Sequence, residues 1–298
     1  MIVIPGPASK RLGERIAELS HSQIISVESK KFPDGESYIR FEGEVKDEDV
    51  IIVQSTGPPQ DSHLIQLFLM LDTLRYMKAK SIVAVIPYFA YSRQDRRFLS
   101  GEAFSFKTIS NLLETYGIKR VVTINFHNPM ITRDCKYVLQ DLSAVDLLAD
   151  HLKKKGLAGS FSLSLGKKGL DMAKQASNIL NGGYGYIKTM RDRTTGMVEI
   201  KEESLDLKEK DVIVFDDIIS SGGTMMKAVK SIKRRGVKRI YAACVHPLLI
   251  GDAKKNIIKT GVDEIIGTDC ISSSVSNVSV APLIADALKK SDFLKNKS

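Results

Sequence analysis

Residues 211–224, DVIVFDDIISSGGT, bring together paired carboxylates, hydroxyls and glycines between an apolar run and a helical pattern. Residues 211–215 are mostly apolar and predict a buried strand. Two carboxylates, Asp216 and Asp217, stand at its end. After Ile218 and Ile219 come Ser220, Ser221, Gly222, Gly223 and Thr224, and then a helical pattern. The glycines let backbone approach a ligand and take up positive φ. Free N–H groups at a helix start, at the positive end of its dipole, form a cradle for phosphate. The hydroxyls of Ser220, Ser221 and Thr224 add donors. The acidic pair lies at the C-terminal end of a strand, where open α/β sheets bind ligands, and can hold ribose hydroxyls or a metal. A serine–glycine turn alone would be an ordinary loop; the strand, the acidic pair and the helix in register make it a phosphate site. It is not a Walker loop, because GxxxxGK[ST] occurs nowhere in the chain.

The elements that must hold this loop can be read along the chain. Short apolar runs at residues 50–54, 81–86, 120–124, 161–165, 211–215 and 239–245 predict strands covered on both faces. The N-terminal MIVIPG predicts another short buried strand. Amphipathic stretches at 63–77, 104–116, 143–155, 169–180, 224–235 and 252–259 predict helices; in the fourth, Leu170, Ala173, Ala176, Ser177 and Leu180 share one face. Alternating strands and helices imply parallel sheets with helices on both sides. A chain of 298 residues corresponds to about two domains. Asp141-Leu142-Ser143 could cap the next helix, which places the domains at 1–142 and 143–298.

Composition narrows the partners. Hydrophobic residues are 43% and charged residues 27%, as in a water-soluble globular protein, and the net charge of +9 favours anionic ligands. The densest cations, Lys153-Lys154-Lys155 and Lys233-Arg234-Arg235, fall near helix ends without interleaved aromatics, so nucleic acid is not an expected partner. Cys135, Cys244 and Cys270 form no CxxC pair, and their odd number argues against a disulfide framework. They read as small core residues in a reducing, cytoplasmic setting. No apolar run reaches the ~18 residues of a membrane span, and no basic leader precedes the first strand; no membrane partner is expected.

Residues 212–224 resemble the phosphoribosyl-binding loop of type I phosphoribosyltransferases. FPDGESYIR (32–40), PYFAYSRQDRR (87–97), TINFHNP (123–129) and DRTTG (192–196) narrow the resemblance to the ribose-phosphate diphosphokinases, or phosphoribosyl-diphosphate synthases, in their archaeal form. The similarity covers nearly the full length. It implies two packed parallel-sheet α/β domains of type I phosphoribosyltransferase-like fold, assembled as a homo-oligomer. It implies transfer of diphosphate from ATP to the 1-hydroxyl of ribose 5-phosphate with Mg²⁺, releasing AMP. By the same resemblance Asp34, Gly35, Glu36, Arg93 and Gln94 serve ATP, with 95–102 as a mobile catalytic loop. His127 is the metal-associated residue. Asp216, Asp217, Ser220, Ser221, Gly222, Gly223 and Thr224 serve ribose 5-phosphate. The ATP loops then fall in the first domain and the sugar-phosphate loop in the second.

Two positions depart from the family pattern. Where relatives carry Pro-Asp after the first strand of the second domain, this chain has Gly166 followed by Lys167. Where relatives carry Glu-Lys-x-Arg, it has Lys188-Thr189-Met190-Arg191; Lys188 and Arg191 are the catalytic candidates. Aligning Arg191 puts the lysine one residue early, which turns its side chain to the opposite strand face unless a bulge restores it. The departures raise an alternative: a non-catalytic paralogue that binds the ligands and forms a hetero-oligomer with an active enzyme. A third reading, a phosphoribosyltransferase or nucleic-acid-binding regulator on the same loop, is opposed by the ATP-like segments.

Overall fold

A computed structural model describes residues 1–97, 99–128, 131, 135–191, 198–201 and 205–290. Contacts between Cα atoms divide the chain into two units. The first comprises Met1–Ser143, Cys270–Ser272 and Ser279–Ser298; the second comprises Ala144–Asp269 and Ser273–Val278.

The first unit contains β1 (Ile2–Pro5), α1 (Lys10–Ser20), β2 (Gln23–Ile24), β3 (Val27–Lys31), β4 (Ser37–Phe41), β5 (Asp49–Val53), α2 (Gln60–Tyr76), β6 (Ser81–Val85), α3 (Ser105–Thr115), β7 (Arg120–Ile124) and β8 (Val138–Leu142). Six strands make a parallel sheet in the order β2-β1-β5-β6-β7-β8. Val50 to Val53 are all fully buried, because both sheet faces are covered. One face packs Ile4, Ile52 and Ala84 against Leu67, Met70 and Leu71 of α2 and Phe106 of α3. Strands β3 and β4 form a separate antiparallel hairpin.

The second unit contains α4 (Val145–Leu152), β9 (Phe161–Leu165), α5 (Leu170–Leu180), β10 (Tyr184–Arg191), β11 (Val198–Lys201), β12 (Asp211–Ile219), α6 (Gly223–Lys233), β13 (Arg239–Pro247), α7 (Ala253–Thr260), β14 (Glu264–Thr268) and β15 (Ser276–Val278). Its sheet runs β11-β10-β9-β12-β13-β14-β15 and is parallel except for the antiparallel edge pair β10–β11. Leu163, Val212 and Val214 pack against Met225, Val229 and Ile232 of α6. The last helix, α8 (Ala281–Lys290), belongs to the first unit and packs on α1, burying Ile284, Ala285 and Leu288.

Three local expectations change. Asp141 and Leu142 extend β8 rather than capping α4, whose N-cap is Ala144 with no side-chain cap. The Asp141 carboxylate accepts the Phe126 N–H instead, at 2.9 Å. Helix α4 ends at Leu152 and passes into a wide π-type turn over Lys153–Leu157, because Gly156 sits at φ 83°. Strand β12 runs on to Ile219, with Ile218 and Ile219 paired to His246 and Pro247 of β13. The acidic pair therefore lies inside the strand's C-terminal extension.

Candidate functional site

In the second unit the strand ends converge on the expected phosphate loop. Gly222 is the N-cap of α6 at φ 76°, ψ 3°. Met226 N–H makes the first helical bond, to the Gly222 carbonyl at 2.9 Å. The N–H groups of Gly223, Thr224 and Met225 precede that bond, and no side chain caps them. They are the donors an anion would take at the positive end of the dipole. The two glycines have different reasons to be there. A Cβ on Gly222 would meet Ile257 Cδ1 at 2.7 Å, and its positive φ disfavours any L side chain. A Cβ on Gly223 would have only Ser221 Oγ nearby, at 3.9 Å. Gly222 is thus demanded by the fold, whereas folding leaves Gly223 open. The loop is braced from below: Ser220 and Ile219 carbonyls accept N–H bonds from Ile250 (3.2 Å) and Leu249 (3.0 Å).

Asp216 and Asp217 are half-buried on β12. Asp216 pairs in register with Cys244 of β13. The buried Cys244 sulfur accepts the Ile219 N–H at 3.2 Å and donates to the Asp217 carbonyl at 3.7 Å. Burial, then the negative charge of Asp216, push this thiol well up, so it stays protonated and able to donate. The three cysteines are free.

Lys188 is exposed midway along β10, one residue beyond the Ile187–Leu165 pair. Register is continuous from Tyr184 to Ile187 against β9 and from Lys188 to Arg191 against β11. No bulge interrupts β10, so Lys188 stands on the face opposite buried Ile187. By register that is the face of Ser164 and Asp217; Leu165 and Asp216 lie on the other. Gly166 follows β9 at φ 91°, ψ 160°, a region that only glycine occupies readily. Its N–H donates to Ile187 O at 2.9 Å, and its carbonyl accepts Ser164 Oγ–H at 3.2 Å. Lys167 and Lys168 beside it are exposed. Arg191 closes β10 as backbone; its side chain, like the DRTTG segment at 192–196, lies outside the described residues.

The first unit brings two of its predicted segments together. Arg93 is exposed and Gln94 half-buried on the loop after β6. Gln94 is fixed to the start of α3: its carbonyl accepts the Phe106 N–H at 3.4 Å, and its Oε1 accepts the Ser105 hydroxyl at 3.1 Å. His127 is exposed on the loop after β7. Asn128 Nδ2 donates to the Asp95 carboxylate, which ties the Arg93–Gln94 loop to the His127 loop. Arg97 Nε donates to the Glu102 carbonyl at 3.0 Å, and Leu99 N–H to Glu102 Oε2 at 3.1 Å, closing the intervening loop on itself. Asp34, Gly35 and Glu36 form the exposed tip of the β3–β4 hairpin. There Gly35 takes φ 95° and Asp34 Oδ1 accepts the Glu36 N–H at 3.1 Å. Among the described residues, no hydrogen bond or ion pair joins this tip to the Arg93 loop. The bonds by which Asn128 and Asp141 hold the His127 loop are not legible in the sequence, since their partners are 33 and 15 residues away. Among the described residues no three acidic, His or Cys side chains cluster to hold a metal, and no helix is long and apolar enough to cross a membrane.

A parallel sheet, with an acidic strand end running through a glycine-lined loop into a helix, defines the type I phosphoribosyltransferase class. Residues 163–281 match the phosphoribosyl transferase domain, and residues 1–117 match the N-terminal domain of ribose phosphate pyrophosphokinase. The ribose-phosphate pyrophosphokinase of Saccharolobus solfataricus is 42% identical over 91% of this chain and 94% of its own. That of Methanothermobacter thermautotrophicus is 41% identical over 97% of this chain and 100% of its own. The chain therefore belongs to the ribose-phosphate pyrophosphokinase family. The crystal structure of phosphoribosylpyrophosphate synthetase from Mycobacterium smegmatis superposes with a TM-score of 0.85 at 24% identity, covering 97% of both chains, and so shares its fold.

Proposed function

We propose that this chain transfers the diphosphoryl group of ATP to the 1-hydroxyl of ribose 5-phosphate, giving phosphoribosyl diphosphate and AMP. The observation that carries the reading is the uncapped start of α6, placed by β12 directly after Asp216 and Asp217, in a chain similar over its whole length to named pyrophosphokinases. Gly223, Thr224 and Met225 N–H groups, with the hydroxyls of Ser220, Ser221 and Thr224, hold the 5-phosphate. Asp216 and Asp217 hold the ribose hydroxyls. Arg93 takes ATP phosphate oxygens with its planar fork, and Gln94 reads the adenine, supported by Asp34, Gly35 and Glu36 at the hairpin tip. Lys188, which continuous register sets on the Asp217 face of the sheet, and Arg191 are the candidates to meet the charge that moves onto the leaving AMP; one preorganised group of this kind is worth about 100- to 1000-fold in rate.

Mg²⁺ suits these residues through shared ligation. It is commonly held by one or two carboxylates together with substrate phosphates, which agrees with paired carboxylates on β12 and no protein-only cage among the described residues. His127 is the candidate metal contact in the first unit; in the second, Asp216 or Asp217 has the chemistry to hold an ion. The ion would neutralise phosphate charge during transfer. We further read the active form as a cytoplasmic homo-oligomer, as the resemblance implies. The names of the relatives give no support to a non-catalytic paralogue.

The test is AMP formation by the purified chain given ATP, Mg²⁺ and ribose 5-phosphate. Turnover that needs both substrates, and that falls about 100-fold or more in Lys188→Ala, supports the reading. Binding of both substrates without AMP release would overturn it in favour of the ligand-binding paralogue.

A further inference from the structure

Tyr91 has a left-handed backbone, φ 64°. For a bulky side chain that is an outlier, and such a conformation persists only where surrounding bonds enforce it. The bonds are visible. Thr56, on the loop after β5, gives its hydroxyl to the Tyr88 carbonyl at 2.8 Å and accepts the Ala90 N–H at 2.7 Å. The Tyr91 carbonyl accepts the Gln94 N–H at 3.2 Å, closing a turn whose other members are Ser92 and Arg93. The Tyr91 hydroxyl donates to Asp61 Oδ1, in the first turn of α2. Hydrogen bonding to Asp61 first, then burial, push the phenol up, which keeps it a donor. Arg93, exposed like Tyr91, has no ion pair or hydrogen bond among the described residues.

We propose that Tyr91 is a positioning residue for the nucleotide: tied to Asp61, it holds the turn that aims Arg93 and Gln94. The inference rests on the reading of those two residues as ATP contacts. The turn is anchored on one side by Thr56 and on the other by Gln94 at the start of α3. The Asn128–Asp95 bond holds the chain just beyond Gln94, whereas the Tyr91–Asp61 bond links the turn to α2 and acts on the residue whose backbone is left-handed. Its loss lets the turn relax toward the common right-handed or extended backbone, which re-aims the guanidinium two residues on. A hydrogen bond to a charged acceptor that supports a phosphate contact should change ATP affinity by about tenfold.

The experiment uses the full chain. Mg–ATP affinity is measured by calorimetry, with KM for each substrate and apo thermal unfolding alongside, for Tyr91→Phe, Asp61→Ala, Asp61→Asn and Arg93→Ala. The expected result is a rise of about tenfold in ATP Kd and ATP KM for Tyr91→Phe and Asp61→Ala, with ribose 5-phosphate KM and apo unfolding little changed. Asp61→Asn, which still offers an acceptor, should recover most of the affinity. The double variant Tyr91→Phe with Asp61→Ala should be no weaker than either alone, since both remove one bond. If Arg93→Ala weakens ATP and Tyr91→Phe does not, the positioning role is wrong. If Tyr91→Phe lowers apo stability and weakens both substrates alike, the residue is structural and the inference fails. If Arg93→Ala itself leaves ATP affinity intact, the nucleotide reading of this loop fails instead.

Discussion

Gly222 and Gly223 are neighbours with separable duties, and that separation makes the phosphate loop testable. Gly223→Val should leave apo stability nearly unchanged, because only Ser221 Oγ lies near the added Cβ. It should abolish calorimetric binding of ribose 5-phosphate, because the branched side chain fills the space where a phosphate must meet backbone N–H groups. Gly222→Ala should do the reverse in stability, costing about 1–3 kcal/mol for the forced positive φ, with more for the 2.7 Å approach to Ile257. Unchanged ribose 5-phosphate affinity in Gly223→Val would sink the assignment of this loop. At this scale the sequence is informative where glycine and acidic residues carry the chemistry, since their types announce backbone approach and charge. It is silent where an ordinary residue is held in an uncommon state. Tyr91 at φ 64° is one such case. Cys244 is another: its type suggests a core hydrophobe, yet its sulfur bonds the backbone at Asp217 and Ile219.

Among the elements, β5 and β6 are legible because both their faces are buried, so Val50 to Val53 and Ile82 to Val85 run without a polar break. The β3–β4 hairpin is not legible. Its strands carry VESKK and SYIRF, a mixture produced by partial exposure, and only the Pro-Asp-Gly turn between them announces itself. Strand β12 shows how register holds the site. At its start, Asp211 receives two bonds from Arg239 of β13, Nε to Oδ1 at 2.9 Å and Nη2 to Oδ2 at 2.7 Å. The hydrogen bond from Arg239 holds the Asp211 carboxyl below its usual range. A depressed folded value means the pair stabilises above the unfolded pKa of about 4 and loses that contribution as pH falls through the folded value. Arg239 is 41% exposed, so solvent screening keeps the effect small. Urea unfolding should therefore find Asp211→Asn less stable than wild type at pH 7 and nearly equal to it at pH 2; an equal gap at both would refute the ion pair as the cause. Gly166 bears on catalysis at the same scale. Its φ 91°, ψ 160° backbone means that Gly166→Asp, which would introduce the acidic residue the family resemblance implies there, should cost about 1–3 kcal/mol of strain. Gly166→Ala is the control. If it matches Gly166→Asp in lost stability, the backbone is responsible; if Gly166→Ala is neutral, the backbone is not strained there.

At the scale of the whole molecule, the chain's return is the feature that no local pattern reveals. Strand–helix alternation predicts two sheet units and supports a division at 142/143, but a contiguous cut gives everything after it to the second unit. Contacts instead assign 279–298 to the first. The reason is packing: α8 lays Ile284, Ala285 and Leu288 inward and rests on α1, which follows β1 at the other end of the sequence. The expected helices stop at residue 259, and an apolar stripe over 281–290 does not by itself say which sheet it covers. This gives a sharp expectation. Leu288 is 2% exposed, and Leu288→Ala removes buried methyl groups at a cost of about 2–5 kcal/mol. If α8 is an integral part of the first unit, that loss falls on sub-global opening of its own neighbourhood. Hydrogen exchange of the full chain should then speed up in β1 and α1, while amides of β9, β12 and β13 keep wild-type protection. Faster exchange spread equally over both units would mean that they open together and that the contact division has no energetic counterpart. Faster exchange confined to residues 163–278 would place the helix with the second unit, against the packing described.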